Sequence, residues 1–177
     1  DYGTAGAGNL QVSADGGATW NDATTATIAA GATSVLVRTP IVNDTLDEAA
    51  ETFTLTATRT AGATMNASAA GTSTITDNDP TPSLAIDDVT VNEAAGTATF
   101  IVTLSAASGL PVSVAYATSS GSATSGADFM STSGTLNFAA GVVSQTIVVP
   151  ITNDVTFETS EAFTVTLSGE VNATIAD

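Results

Sequence analysis

A chain of 177 residues, 43% hydrophobic but only 5% aromatic, can build small cores and no large one. Its 18 Asp and Glu stand against 2 Lys and Arg, a formal net charge of −16, so phosphates cannot be neutralised: nucleic acid is excluded as a partner and an anionic membrane surface is disfavoured. Cys and His are both absent, which rules out disulfides, thiolate metal sites and the usual general base.

Taken in order, the chain reads as short strands separated by turn residues, with no helical period. Asp1-Tyr2 aligns with Ala115-Tyr116 at the end of a strand. Residues 6–17 read as a Gly-rich loop or hairpin with an Asp-Gly turn signal, and Trp20, the single Trp, is expected to cover the open end of a core. A strand is predicted over 34–42, an acidic turn follows, and strict alternation predicts a half-buried strand over 52–58. A short strand over 72–76 ends in Asp77-Asn-Asp79. Pro80-Thr-Pro82 then favours extended, stiff backbone and reads as a linker. Beyond it, strands are predicted over 83–91, 97–105, 112–118, 134–138, 144–152 and 162–168, with a turn at 92–96 and a loose stretch over 119–128. The pattern predicts an all-β sandwich in each half. The expected organisation is a first module over 1–79 lacking its opening strands, a linker at 80–82, and a second module over 83–177 lacking its closing strand. The pattern starts and stops mid-module, so flanking chain or a neighbouring copy is expected to fill the gaps.

One stretch occurs twice. Ile41-Val-Asn-Asp44-Thr-Leu-Asp-Glu48-Ala-Ala-Glu51-Thr-Phe53 returns as Ile151-Thr-Asn-Asp154-Val-Thr-Phe-Glu158-Thr-Ser-Glu161-Ala-Phe163. Pro40 and Pro150 precede the two copies at the same offset of 110 residues, which marks a tandem repeat. Most of the 18 acids gather in two groups: Asp44, Asp47, Glu48, Glu51, Asp77 and Asp79, then Glu93, Asp128, Asp154, Glu158 and Glu161. Carboxylates gathered this way repel one another unless a cation sits among them. An oxygen-only set of carboxylates and carbonyls is the chemistry of calcium, which takes roughly 6–8 oxygens at about 2.3–2.6 Å. The bland alternative is a solvated acidic loop that keeps chains apart. Asp87-Asp88 reads as a surface pair, Asp15 and Asp22 as turn residues, and Tyr2, Tyr116, Phe100, Phe138 and Phe163 as core.

Val-Asn-Glu93-Ala-Ala-Gly, Ser-Gly-Ala-Asp128-Phe, Pro-Ile-Thr-Asn153-Asp154 with Phe157-Glu158 and Glu161-Ala-Phe163, and the Ile-Thr-Asp77-Asn-Asp79 ending together resemble the Calx-beta domain. The resemblance covers essentially the whole chain, and the Ala/Thr/Ser-rich composition is similar to the tandem repeats of large bacterial surface adhesins. It implies two tandem immunoglobulin-like antiparallel β-sandwiches that bind Ca2+ at one end. Carried over by position, the second module's ligands are Glu93, Asp128, Asn153, Asp154, Glu158 and Glu161, with the Thr156 carbonyl. Those of the first are Asn43, Asp44, Glu48, Glu51, the Leu46 carbonyl, Asp77, Asn78 and Asp79. Asn43 and Asn153 stand where calcium-regulated members can carry Asp. Three function classes follow. The first is a calcium-rigidified structural repeat of an extracellular bacterial adhesin or surface fibre, whose partners are calcium ions and neighbouring repeats or copies of itself. A variant is a filament subunit joined by strand complementation. The second class is a calcium-sensing regulatory domain. The third, an enzyme, is disfavoured: no aromatic platform flanks the carboxylates, and the serines have no His or Lys base. Neither a signal peptide nor a spanning or lipidation motif is present, which means little in a sequence that starts and stops in mid-pattern; no direct membrane insertion is expected of the modules themselves.

Overall fold

Period-two alternation of β-branched and small polar residues becomes twelve strands and one 3₁₀ turn among the described residues, 9–62 and 65–176, of a computed structural model. Tyr2 lies outside the described residues. Among the described residues, no helix is long and apolar enough to cross a membrane. The chain divides into a compact unit ending at Thr45 and another starting at Leu46.

In the first unit, β1 (Gln11–Ser13) lies between β2 (Asn21–Asp22) and β3 (Leu36–Arg38), antiparallel to both. β3 is shorter than the expected 34–42, and Pro40, which has no amide N–H to give to a ladder, stands just beyond its end. Among the described residues, Trp20 is not part of the hydrophobic core it was expected to cover. It is half-buried beneath the Arg38 guanidinium, 4.1 Å from the ring centroid, and its Nε1–H donates to the Gly17 carbonyl at 3.1 Å. Asp15 is the turn residue expected: its carboxylate accepts from the Ser13 and Thr19 hydroxyls and from the Thr19 amide. Those bonds, the Thr19 hydroxyl first, hold its carboxyl well below the usual carboxylate range.

In the second unit, β4 (Glu51–Thr58) pairs along its full length with β5 (Ser68–Ile75). β5 begins four residues before the expected start at Thr72, because β4 supplies a ladder partner for Ser68-Ala-Ala-Gly71, whose own β-preference is weak. β6 (Ser83–Ile86) stops short of the expected Val91. There the Asp87 carboxylate takes the Ile101 amide at 2.6 Å, continuing the contact through a side chain. A 3₁₀ turn at Glu93–Ala95 is capped by the Asn92 side chain and closed by Gly96 at φ 72°. β7 (Thr97–Leu104), β8 (Val112–Ser120), β9 (Ser133–Phe138), β10 (Ser144–Pro150), β11 (Phe163–Val171) and β12 (Thr174–Ile175) follow. No strand was expected past Ser168; β11 continues beyond it through a bulge, and β12 runs parallel to β6.

Besides the two-stranded β4–β5 sheet, the unit has two facing sheets, β10-β7-β6-β12 and β11-β8-β9, every pair except β12–β6 being antiparallel. β7 shows the logic: Ala98, Phe100, Val102 and Leu104 point inward and every intervening residue is exposed. They meet Val112 and Val114 of β8, Leu136 and Phe138 of β9, and Ile147 and Val149 of β10. Each large apolar side chain buried in this way stabilises the fold by roughly 1.5–3 kcal/mol. Tyr116 is half-buried and packs over Gly134, its cross-strand partner, where an added Cβ would meet the ring within 3.1 Å. Small antiparallel sheets packed face to face around one apolar layer make this an immunoglobulin-like sandwich.

Candidate metal centre

Asp128 sits in the loop between β8 and β9, and the local chain closes around it. The Thr124 amide donates to its Oδ2 at 2.6 Å, and its own amide donates to the Thr124 carbonyl at 3.0 Å. Its carbonyl accepts from the Thr152 amide at 2.9 Å, which ties this loop to the start of the repeated acidic stretch. The next residue, Phe129, is buried and stacks on Phe163 with ring centroids 4.4 Å apart; Phe100 meets Phe163 edge-on at 6.0 Å. Phe163 opens β11, so the aromatic cluster fixes the far end of the acidic stretch as well. Backbone contacts reinforce it: the Ala162 amide donates to Ser122 Oγ at 2.9 Å, and the Ala123 amide to the Ala162 carbonyl at 3.0 Å.

Between these anchors the stretch loops round, and Asp128, Glu158 and Glu161 come together with one carboxylate oxygen of each within 4.8 Å of the others. Glu161 and Glu158 are exposed and Asp128 is half-buried. Loss of hydration in the crowded loop, then the Asp128 charge, pushes the Glu161 carboxyl up; a hydrogen bond with Asp128 and the charges of Glu158 and Glu93 add to the rise. Glu158 is raised by loss of hydration first, then by Asp128, Asp154 and Glu93. The charges that act on these two carboxyls are those of other carboxylates, and each raises them.

Glu93, on the 3₁₀ turn, lines the same cleft together with Asn153 and Thr156. Gly96 carries the turn to this end of the sandwich, its carbonyl accepting from the Ile151 amide at 2.9 Å. Asp154 folds back on its own loop, accepting from the Thr156 amide at 2.6 Å. The cleft has a volume of about 770 Å³ and an apolar floor that includes Ala98, Phe100, Ala123 and Phe163. Asp87 and Asp88 also border it, although Asp87 is engaged with the Ile101 amide.

The first acidic stretch is placed differently. Asn43 and Asp44 belong to the first unit, where Asn43 Nδ2 donates to the Asp44 carbonyl at 3.3 Å. In the second unit Asp77 organises the loop: its Oδ2 accepts from the Glu48 amide at 3.1 Å and its Oδ1 from the Asp79 amide at 3.3 Å. Leu46 and Glu48 are half-buried, while Glu51 opens β4 and is exposed, as is Asn78. Within the second unit, the described residues of this stretch bring no carboxylate triad as close as Asp128, Glu158 and Glu161. Sequence reasoning did not single out Phe129 or Ser122, which position the second-copy acids. Phe129 had a signal, its place directly after Asp128. Ser122 had none.

The fold defines the class, an immunoglobulin-like β-sandwich, and one end of it gathers carboxylates that could hold a metal ion. The Calx-beta domain matches residues 12–81 and again 76–176, and the chain belongs to that family. Among solved structures, the apo-form Calx CBD1 domain is 29% identical with a TM-score of 0.46, over 48% of this chain and 75% of that one. The calcium binding domain CBD12 of CALX1.1 is 31% identical with a TM-score of 0.43, over 44% of this chain and 33% of its own. CBD12 from CALX1.2 is 29% identical with a TM-score of 0.46, over 48% of this chain and 35% of its own. The chain thus spans only about a third of the length of either CBD12 structure. No curated protein sequence matches it.

Proposed function

We propose that the chain is a calcium-binding structural repeat of an extracellular bacterial adhesin or surface fibre, in which Ca2+ rigidifies a tandem array. The observation that carries the reading is the 4.8 Å clustering of Asp128, Glu158 and Glu161 oxygens. Two oxygens on one calcium ion, each about 2.3–2.6 Å away, lie at most roughly 5.2 Å apart, so each pair of these oxygens is within the span of one ion, and a shift of a few tenths of an ångström by the exposed glutamates brings all three into its reach. The donors are all oxygen, which favours a hard cation over a transition metal. Glu93 and the Asn153 side chain line the same cleft and can complete the shell. Bound calcium would supply the positive charge that the acidic loop lacks and lock the loop closed. The location at a bacterial surface rests on the resemblance of this acidic, Ala/Thr/Ser-rich repeat to those of large bacterial surface adhesins; with no Cys for disulfide staples, bound metal would serve in their place.

The test is a calorimetric melt of the chain with millimolar calcium, millimolar magnesium or chelator. A ligand held only by the folded state adds about 2.7 kcal/mol at a hundredfold excess over Kd. A rise of several degrees with calcium, absent with magnesium and lost in E158Q/E161Q, is expected. Superimposable melts in calcium and chelator would overturn the assignment.

A further inference from the structure

We infer that Val155 and Phe157, at the tip of the second acidic loop, form the docking surface for a following Calx-beta module in a tandem array, which would seat on them the turn corresponding to 105–111. The inference deepens the repeat-array reading above and rests on it. Its basis is the contact made by the first copy of the same loop. There the Asp47 carbonyl accepts from the Gly109 amide at 3.1 Å and from the Ser108 hydroxyl at 3.3 Å, and Asp47 and Ser108 form a parallel bridge. The Glu48 side chain lies so close over Gly109 that an added Cβ there would fall 2.7 Å from Glu48 Cγ. The loop of one repeat is therefore seated on the turn between the second and third strands of the next, β7 and β8.

At the 110-residue offset, Leu46, Asp47 and Glu48 correspond to Thr156, Phe157 and Glu158. The first three are half-buried and the second three exposed. The tip of the second loop carries Val155 at 103% exposure and Phe157 at 96%, two apolar residues side by side on one loop and wholly in water. Apolar side chains clustered on a projecting loop mark an interaction surface. The recipient turn suits them, because Ser-Ala-Ala-Ser-Gly-Leu-Pro over 105–111 offers Ala107, Leu110 and Pro111 beside the Gly109 amide. The backbone contacts that seat Asp47 do not depend on its side chain, so Phe157 can adopt the same seat and add apolar burial.

The experiment lengthens the full chain after Asp177 by a second copy of residues 72–177. Asn172-Ala-Thr matches Asn66-Ala-Ser, so this junction keeps the repeat in frame. Hydrogen exchange is followed by mass spectrometry at fixed calcium in the original and lengthened chains, with the amides of Val102 and Ile147 reporting an intact core. Exchange over 154–158 is expected to slow at least tenfold in the lengthened chain, and V155S/F157S should restore the original rate. Equal exchange in both chains, or protection that survives V155S/F157S, would overturn the docking. A second variant needs no added module: in D47F the Gly109 amide should stay protected, and its becoming fast would show that the turn does not accept a Phe-tipped loop. Repeating the comparison in chelator separates the two readings. Docking protection without any calcium-dependent melt leaves this surface standing and removes the metal assignment.

Discussion

Phe129 and Phe163 stack at 4.4 Å with an interplanar angle of 18°, and each stands beside an acid of the candidate metal centre. Asp128 directly precedes Phe129, and Glu161 lies two residues before Phe163. The pair brings two acids that are far apart in sequence to the same end of the sandwich. Phe129→Ala removes a side chain that is 1% exposed and should cost about 3–5 kcal/mol, within the range for buried Phe. Phe129→Leu keeps much of the volume and should cost less than half of that. Both should reduce the calcium-induced rise in Tm beyond what their own stability loss explains, because the stack also positions Glu161. Denaturant melts with and without calcium read both effects.

Gly121 lies under the exit of the acidic loop, where an added Cβ would fall 2.5 Å from the Ala162 carbonyl oxygen. That oxygen belongs to the backbone and accepts from the Ala123 amide, so it cannot swing aside as a side-chain tip would. Gly121→Ala should therefore displace residues 161–163 and destabilise the fold by about 1–3 kcal/mol, the range for overpacking. Gly126→Ala makes a useful contrast. No atom crowds its Cβ position, so only its φ of 92° opposes the change. Loss of calcium affinity should be large in the first variant and small in the second, as isothermal titration would show.

Asp128 has two separable roles. Its Oδ2 accepts the Thr124 amide, and its charge faces Glu158 and Glu161. Asp128→Asn keeps an oxygen for the amide and removes the charge, so the apo protein should be as stable as the parent or slightly more so, while calcium binding weakens at least tenfold. Asp128→Ala loses both roles and should cost about 1 kcal/mol in the apo state as well. Equal apo stability of the two variants would show that the hydrogen bond contributes nothing.

The strands of the second module were legible as short alternating runs between turn residues; the strand expected over 97–105 is β7, whose Ala98, Phe100, Val102 and Leu104 are buried between exposed neighbours. The acids were legible because the stretch repeats. Where β6 ends was not, since it depends on the Asp87 carboxylate taking an amide 14 positions away in the chain, on the neighbouring strand β7. β5 was read short because Ala and Gly carry no strand signal of their own; their pairing comes from β4. Trp20 was misplaced for a similar reason. Its partner is Arg38, two strands away, and sequence spacing alone does not distinguish a cation over a ring from a core contact.

The pH dependence of the apo protein follows from two shifts of opposite sign. Glu158 and Glu161 have folded-state pKa values raised above their ordinary 4.5, so the folded state holds protons that the unfolded chain has released. Their stabilising contribution is complete below pH 4.5 and is lost as pH rises through the folded values. Asp15 is depressed below its ordinary 3.8, so its contribution is present above that pH and is lost only under stronger acid. The melting temperature of the second unit in chelator should accordingly fall as pH is raised from 4.5 toward neutrality. E158Q/E161Q should flatten that slope, while D15N should leave it unchanged. Millimolar calcium should reverse its sign, because protons compete with the ion for the same oxygens and lose as pH rises. A chelator-treated protein whose Tm climbs over this range, or whose slope survives E158Q/E161Q, would show that the two glutamates do not crowd one another in solution.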